Sequence, residues 1–160
     1  MRRSKLDEID LQLLKLLQED GRMPQCDLAD AVGLSSPATG ERLRKLMERG
    51  IVRFTAVLDP KQLDKDITAF IAVGIDGSKH YEDFVRKAIE HPEVLECHAI
   101  TGEGSHILKV RTGNTLDLER LLATVQAWPG VHRTTTSIVL STRKETASLL
   151  LDPSLVATGD

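Results

Sequence analysis

Between Ala31 and Pro37 one helix has to stop and another has to start, and few folds accommodate that within about four residues. Gly33 can adopt the left-handed conformation that ends a helix. Ser36 followed by Pro37 supplies an N-cap hydroxyl and then a first helical residue that needs no amide hydrogen. Upstream, Leu28 and Val32 lie one turn apart on one face; downstream, Thr39, Leu43, Leu46 and Met47 form a buried stripe. With Leu43 at the centre of the buried face, steps of roughly 100° per residue put Pro37, Ala38, Glu41, Lys45 and Glu48 opposite it, with Arg42 and Arg44 at the flanks. Short side chains at the front and cations at the flanks suit a recognition helix, whose first turn enters a DNA major groove while guanidinium groups meet phosphates. From Pro37 to Arg53 the cations are Arg42, Arg44, Lys45, Arg49 and Arg53 and the anions Glu41 and Glu48, a local charge of +3. The plain alternative is a surface helix hairpin with solvated charges. Turn and charge together favour a helix-turn-helix that binds double-stranded DNA.

Charge matters here because the whole chain cannot supply the attraction. Its 160 residues carry a net charge of −3, so any pull toward nucleic acid is local. The acidic excess falls in the second half. Arg2, Arg3 and Lys5 look like the start of a signal peptide, but Asp7, Glu8 and Asp10 follow where an apolar core belongs. No apolar run approaches the length of a membrane span, so the expectation is a cytoplasmic protein with no membrane partner. Cys26 and Cys97 have no metal or redox spacing and read as reduced structural thiols.

Taken in order, Leu6, Ile9, Leu13 and Leu16 repeat with helical spacing behind Asp7, which can cap, and this helix ends near Asp20-Gly21. Three helices then precede Gly50, and the branched run 51–58 reads as a strand, giving a winged helix-turn-helix over 1–58. Asp59-Pro60 and the polar residues after it mark a linker, 59–66. A second domain is expected over 67–160. Ile67, Ala69, Ile71, Val73 and Ile75 alternate with Thr68, Phe70, Ala72 and Gly74 in a strand apolar on both faces. Tyr81, Phe84, Val85, Ala88 and Ile89 follow as a helical stripe, stopped by His91-Pro92, with a strand from Val94 to Thr101. The pattern repeats as a strand from His106 to Thr112, a helix carrying Leu118, Leu121, Leu122 and Val125, and a strand from Val131 to Leu140. This βαββαβ order describes a ferredoxin-like fold, making the chain α+β overall. One face of such a sheet is left without helices. The apolar residues Phe70 and Ala72 on it predict a second copy as cover, hence a homodimer.

The ordered set Leu6-Asp7-x-x-Asp10, Glu19-Asp20-Gly21-Arg22, Leu28-Ala29-x-x-Val32-Gly33-Leu34-Ser35, Arg42-Leu43-x-x-Leu46, Gly50-Ile51-Val52, Leu58-Asp59-Pro60, Pro92-Glu93-Val94-x-Glu96-Cys97, Thr101-Gly102 and Pro129-Gly130-Val131 resembles the Lrp/AsnC, or feast/famine, transcriptional regulators. The resemblance implies an N-terminal DNA-binding domain, a C-terminal ligand-sensing domain, dimers able to assemble into octamers, and an amino acid or related metabolite as effector. The DNA contacts are expected on the second helix of the motif, at Ser36, Ala38, Thr39, Glu41, Arg42, Arg44 and Lys45, so that Thr39 falls both here and in the buried stripe. The resemblance places the effector at Gly102, Glu103, Gly104, Ser105, Thr134, Thr135, Thr136 and Ser137. Many relatives read Gly-Asp-Tyr-Asp-Tyr where this chain reads Gly102-Glu103-Gly104-Ser105-His106, so the first acid is lengthened and the second replaced. A bare hairpin turn made by Gly102 and Gly104 is the alternative for that loop.

No cofactor and no metal are expected. His80, His91, His98, His106 and His132 show no close ligand spacing, and the adjacent Cys97 and His98 point to opposite faces of a strand. An enzyme resembling the siroheme decarboxylases, or a metabolite-binding module that regulates an enzyme, would share the architecture. Neither needs a basic recognition helix, and the expectation is a protein that is not an enzyme.

Overall fold

In the computed structural model, which describes residues 6–156, the first element begins where Asp7 can satisfy the free amides of a helix start. Asp7 accepts from the Asp10 amide at 2.8 Å while Asp10 accepts from the Asp7 amide at 3.3 Å, a reciprocal cap on α1, Glu8–Glu19. Helix α2, Gln25–Val32, stops at Gly33 with φ 68°, as the turn sequence requires. Helix α3 spans Ser36–Glu48, one residue earlier than expected. Its cap is Ser35, extended, with its hydroxyl accepting from the Ala38 amide, and Pro37 stands in the first turn. Ser36 is already helical, and its carbonyl and hydroxyl accept instead from the Gln25 side-chain amide at 2.8 and 3.1 Å.

Leu13, Leu17 and Leu28 form the centre of this helical unit, with Ile9, Leu16, Met23, Val32 and Leu43 packed around them. Thr39 and Leu46 are buried, whereas Met47 is 49% exposed against expectation. Steps of roughly 100° per residue put Met47 about 80° from Thr39, at the margin of the stripe that Thr39, Leu43 and Leu46 define. The expected strand at 51–58 is absent among the described residues. Gly50 ends α3 with φ 68°, and the chain beyond it has no ladder partner, leaving Val57 and Leu58 exposed. Branched residues favour extended backbone but do not supply a second strand, so the unit is a helix-turn-helix without the wing.

The tail of the chain also departs from expectation. Residues from Glu145 onward group with those up to Val57, and Leu58–Lys144 form the second unit. The Gln18 side chain donates to the Leu149 carbonyl at 3.0 Å and accepts from the Leu149 amide at 2.6 Å, and Leu6 makes a parallel bridge with Val156. A side-chain amide standing in for a strand partner leaves no periodicity in the sequence, which is why the expected second domain ran on to 160. The linker expected at 59–66 contains a short 3-10 helix, Pro60–Leu63, capped by Asp59. The outer ends of the expected domains, 1–5 and 157–160, and with them Arg2, Arg3 and Lys5, lie outside the described residues.

The second unit has the expected order: β1 Ile67–Ile75, α4 Tyr81–Glu90, β2 Val94–Ala99, β3 His106–Thr112, α5 Thr115–Gln126 and β4 Val131–Ile138. β2 and β4 end two residues short of expectation, since β3 begins at His106, opposite Ala99, and β4's last partner on β1 is Ala69. The strands form one antiparallel sheet in the order β2-β3-β1-β4, the ferredoxin-like arrangement. Ala69, Ile71, Val73 and Ile75 face the helices, packed with Leu108, Val110, Phe84, Ala88, Leu121, Val125 and Trp128. Phe70, on the other face, is 38% exposed.

Candidate functional site

Helix α3 carries its charges in two sets that do different work. Arg42 turns inward: its Nη1 donates to Asp7 at 2.6 Å and to Asp10 at 2.9 Å, so that one guanidinium joins α3 to the capped start of α1. The expected phosphate contact at Arg42 is therefore replaced by a contact inside the unit. Thr39 is likewise corrected, because at 0% exposure it cannot reach a groove; its hydroxyl is buried with no hydrogen-bond partner. Ala38 and the charged residues Glu41, Arg44 and Lys45 are exposed, and Ser36 is half-buried beneath Gln25.

The exposed set is self-neutralised. Arg44 donates to Glu41 at 2.9 and 2.6 Å and pairs with Glu48, and Lys45 lies 3.4 Å from Glu41. Arg44 first, and Lys45 after it, hold the Glu41 carboxyl down at about 2, while Arg44 itself is pushed up by Glu41 and Glu48. Exposed pairs of this kind contribute little to stability, so a phosphate can displace the carboxylates at little cost.

Arg42 makes a testable claim of its own. Burial works against ionised Asp7, but the Asp10 amide and Arg42 outweigh it and hold the Asp7 carboxyl below the ordinary aspartate range. A depressed carboxyl contributes stability that is complete above its unfolded value, about 3.9, and is lost as pH falls through the lower folded one. Arg42→Ala is expected to lower the stability of the helical unit by about 1–2 kcal/mol at neutral pH. It is also expected to flatten the acid limb of a melting-temperature profile; an unchanged profile would show that the clamp does not act in solution.

In the second unit a cavity of about 300 Å³ opens between the loop after β2, the end of β1 and β4. Its walls are Glu103, Gly104 and Ser105 from the loop, Ala72, Gly74 and Ile75 from β1, and His132, Arg133 and Thr135 from β4. Two glycines make the space. Gly104 sits at φ 97°, where a Cβ would come within 3.0 Å of the Val73 carbonyl, and a Cβ on Gly74 would come within 2.9 Å of the His132 ring. The Ser105 amide and hydroxyl both donate to the Val73 carbonyl, at 2.9 and 3.2 Å, which anchors the loop to β1.

Of the residues expected at an effector, the fold brings Glu103, Gly104, Ser105 and Thr135 to this cavity, whereas Gly102, Thr134, Thr136 and Ser137 do not line it. Register explains the division along β4. Thr134 and Thr136 pair with Val73 and Ile71, whose side chains face the helices, and the Thr134 hydroxyl accepts from Gln126 on α5 at 2.9 Å. Ser137 pairs with Phe70, farther along the open face. Arg133 and His132, missed from the sequence, belong to the wall; strict alternation from Thr135 would have found Arg133, opposite Gly74. Glu103 and Arg133 put opposite charges on one cavity, and neither has an ion-pair partner among the described residues. Among those residues no cluster of three or more His, Cys, Asp or Glu is arranged to hold a metal ion, and no helix is long and apolar enough to cross a membrane.

Residues 6–47 match the AsnC-type helix-turn-helix domain and residues 68–149 the Lrp/AsnC ligand binding domain. The chain belongs to the Lrp/AsnC family. It is similar to the HTH-type transcriptional regulator FL11 of Pyrococcus horikoshii, 39% identical over 90% of this chain and 95% of that one. It is also similar to the leucine-responsive regulatory protein of Escherichia coli, 32% identical over 91% and 92%. Among solved structures it matches a transcriptional regulator of Neisseria meningitidis crystallised with L-methionine, at TM-score 0.87 and 34% identity over 92% and 98% of the two chains. These Lrp/AsnC relatives are transcriptional regulators by name, and the helix-turn-helix and ferredoxin-like units correspond to theirs. The Lrp/AsnC ligand binding domain spans every wall of the cavity.

Proposed function

We propose that this regulator reads DNA with the exposed face of α3 and senses an α-amino acid in the cavity beside Gly104. The observation that carries the sensing half is that Glu103 and Arg133 line one cavity, each without an ion-pair partner among the described residues. An α-amino acid has an ammonium and a carboxylate on one carbon, and a cavity with one anion and one cation answers both. About 300 Å³ is at the small end of ligand cavities and suits a single amino acid. The L-methionine held by the Neisseria regulator belongs to the same chemical class.

Reading DNA falls to Ala38, Glu41, Arg44 and Lys45, with Ala38 able to meet a thymine methyl, Glu41 a cytosine amino group, and the two cations the phosphates. The apolar patch that includes the half-exposed Phe70 favours a homodimer, which suits a two-fold symmetric operator and can assemble further, to an octamer. The protein then acts as a regulator rather than a catalyst, in the cytoplasm alongside the DNA it reads, with no cofactor. Genomic footprinting of the purified protein, with calorimetry against the twenty amino acids, tests both halves together. The expected result is a set of protected two-fold sites whose occupancy changes with one amino acid that also binds in the calorimeter. No protected site would overturn the DNA half, and no heat from any amino acid would overturn the effector half.

A further inference from the structure

Directly behind the cavity wall stands a histidine that the reading above does not use. His106 opens β3, is only 3% exposed, and packs against Tyr81 and Phe84 of α4 with ring centroids 5.1 and 5.0 Å away. Burial pushes its imidazole down, so the neutral ring, with one N–H and one lone pair, is the form to consider. Its Nδ1 lies 3.2 Å from the Ser105 hydroxyl, and that hydroxyl is itself 3.2 Å from the Val73 carbonyl.

A serine hydroxyl has one proton and two lone pairs. The Val73 carbonyl can only accept, so a proton directed there leaves Ser105 with nothing to give Nδ1, and Nδ1 must be the donor. The opposite tautomer would leave a lone pair on Nδ1, and Ser105 could meet it only by turning its one proton away from the Val73 carbonyl, giving up the 3.2 Å bond there. The relay therefore runs from His106 Nδ1–H to the Ser105 hydroxyl and on to the Val73 carbonyl.

We infer that His106 is a positioning residue that makes Ser105 an acceptor toward the cavity, so that Ser105 and Glu103 take a ligand's ammonium and Arg133 its carboxylate. The ligand half of this inference rests on the effector reading given above; the relay does not. With its proton on Val73 and one lone pair on His106, the Ser105 oxygen has only its second lone pair to offer. It therefore favours a cationic N–H and opposes a second carboxylate oxygen. The end of the cavity near Ser105 is thus selective for ammonium.

Two measurements on the full chain test this. In protein labelled with ¹⁵N-histidine, two-bond proton–nitrogen correlation reads the tautomer directly: the expected signal is a neutral ring protonated at Nδ1, and a ring protonated at Nε2 overturns the relay. Calorimetry then compares L-methionine with its des-amino analogue, a carboxylate without the ammonium, across wild type, His106→Asn, His106→Phe and Ser105→Ala. Asparagine keeps a donor where Nδ1 stood, and phenylalanine keeps only a ring. The Asn variant is expected to bind L-methionine within about threefold of wild type, while the Phe and Ala variants lose on the order of tenfold. The des-amino analogue is expected to bind all four alike. Equal losses for both ligands would overturn the inference by showing a structural role alone. If wild type binds no amino acid, the effector reading and the ligand half fail together, and the tautomer still decides the relay.

Discussion

Arg133→Ala is expected to weaken L-methionine, or whichever amino acid the protein takes, by about 30- to 160-fold in calorimetry. A charge-assisted guanidinium–carboxylate contact in a partly desolvated cavity contributes about 2–3 kcal/mol, and each 1.36 kcal/mol is roughly a factor of ten. The loss should be confined to ligands with a carboxylate: an amine made by decarboxylating the ligand should bind mutant and wild type alike. Arg133 is exposed and has no ion-pair partner among the described residues, so the melting temperature of the unliganded protein should stay where it is. Glu103→Gln should give the mirror result, with the des-amino carboxylate indifferent to the change. Undiminished affinity in Arg133→Ala would move the carboxylate to another wall.

The second large effect belongs to α3. The Arg44→Ala, Lys45→Ala double variant should bind all DNA sequences more weakly, by between about 10- and 100-fold per half-site at 0.1 M salt, with the log–log salt slope flatter by about two units per half-site. Each neutralised phosphate contributes a slope of about 0.9 and hence roughly a factor of eight at that salt. Parting these cations from Glu41 and Glu48 reduces the figure, because wild type gives up those pairs on binding. Titration of a labelled duplex over a range of salt, with operator and random DNA side by side, checks it. A loss restricted to the operator would mean that one of the two cations reads a base. Arg42→Ala serves as the contrast: its effect should appear first in stability, since its guanidinium is held by Asp7 and Asp10.

What could be read in advance followed from local rules. Gly33 and the alternation of β1 act within a few residues, so the helix-turn-helix and the repeated βαβ order were visible in the sequence, whereas the strand expected at 51–58, which needed a distant partner, does not form among the described residues. The site was half visible for the same reason. Gly104 and Ser105 sit in a loop whose glycines announce it, but 134–137 is a run of hydroxyls whose alternate members face opposite ways. Only pairing with β1 distinguishes Thr135, in the cavity, from Thr136, on the helix side. Arg42 shows the other limit. Its partner Asp7 is 35 positions away, and no spacing rule links a cation on one helix to the cap of another. The same holds for Gln18 and Leu149, separated by 131 positions.

That last contact gives the chain an unusual order of assembly. The helices of the helix-turn-helix unit leave the ribosome before the sensing unit, yet the strap that completes them, held by Gln18 at Leu149 and by Leu6 at Val156, is made after it. At about 5–20 residues per second the reading unit waits roughly 5–20 s, while the whole sensing unit is synthesised, before its own closure is available. A nascent chain interrupted anywhere in between lacks the strap, so synthesis itself works against a DNA reader released without its sensor.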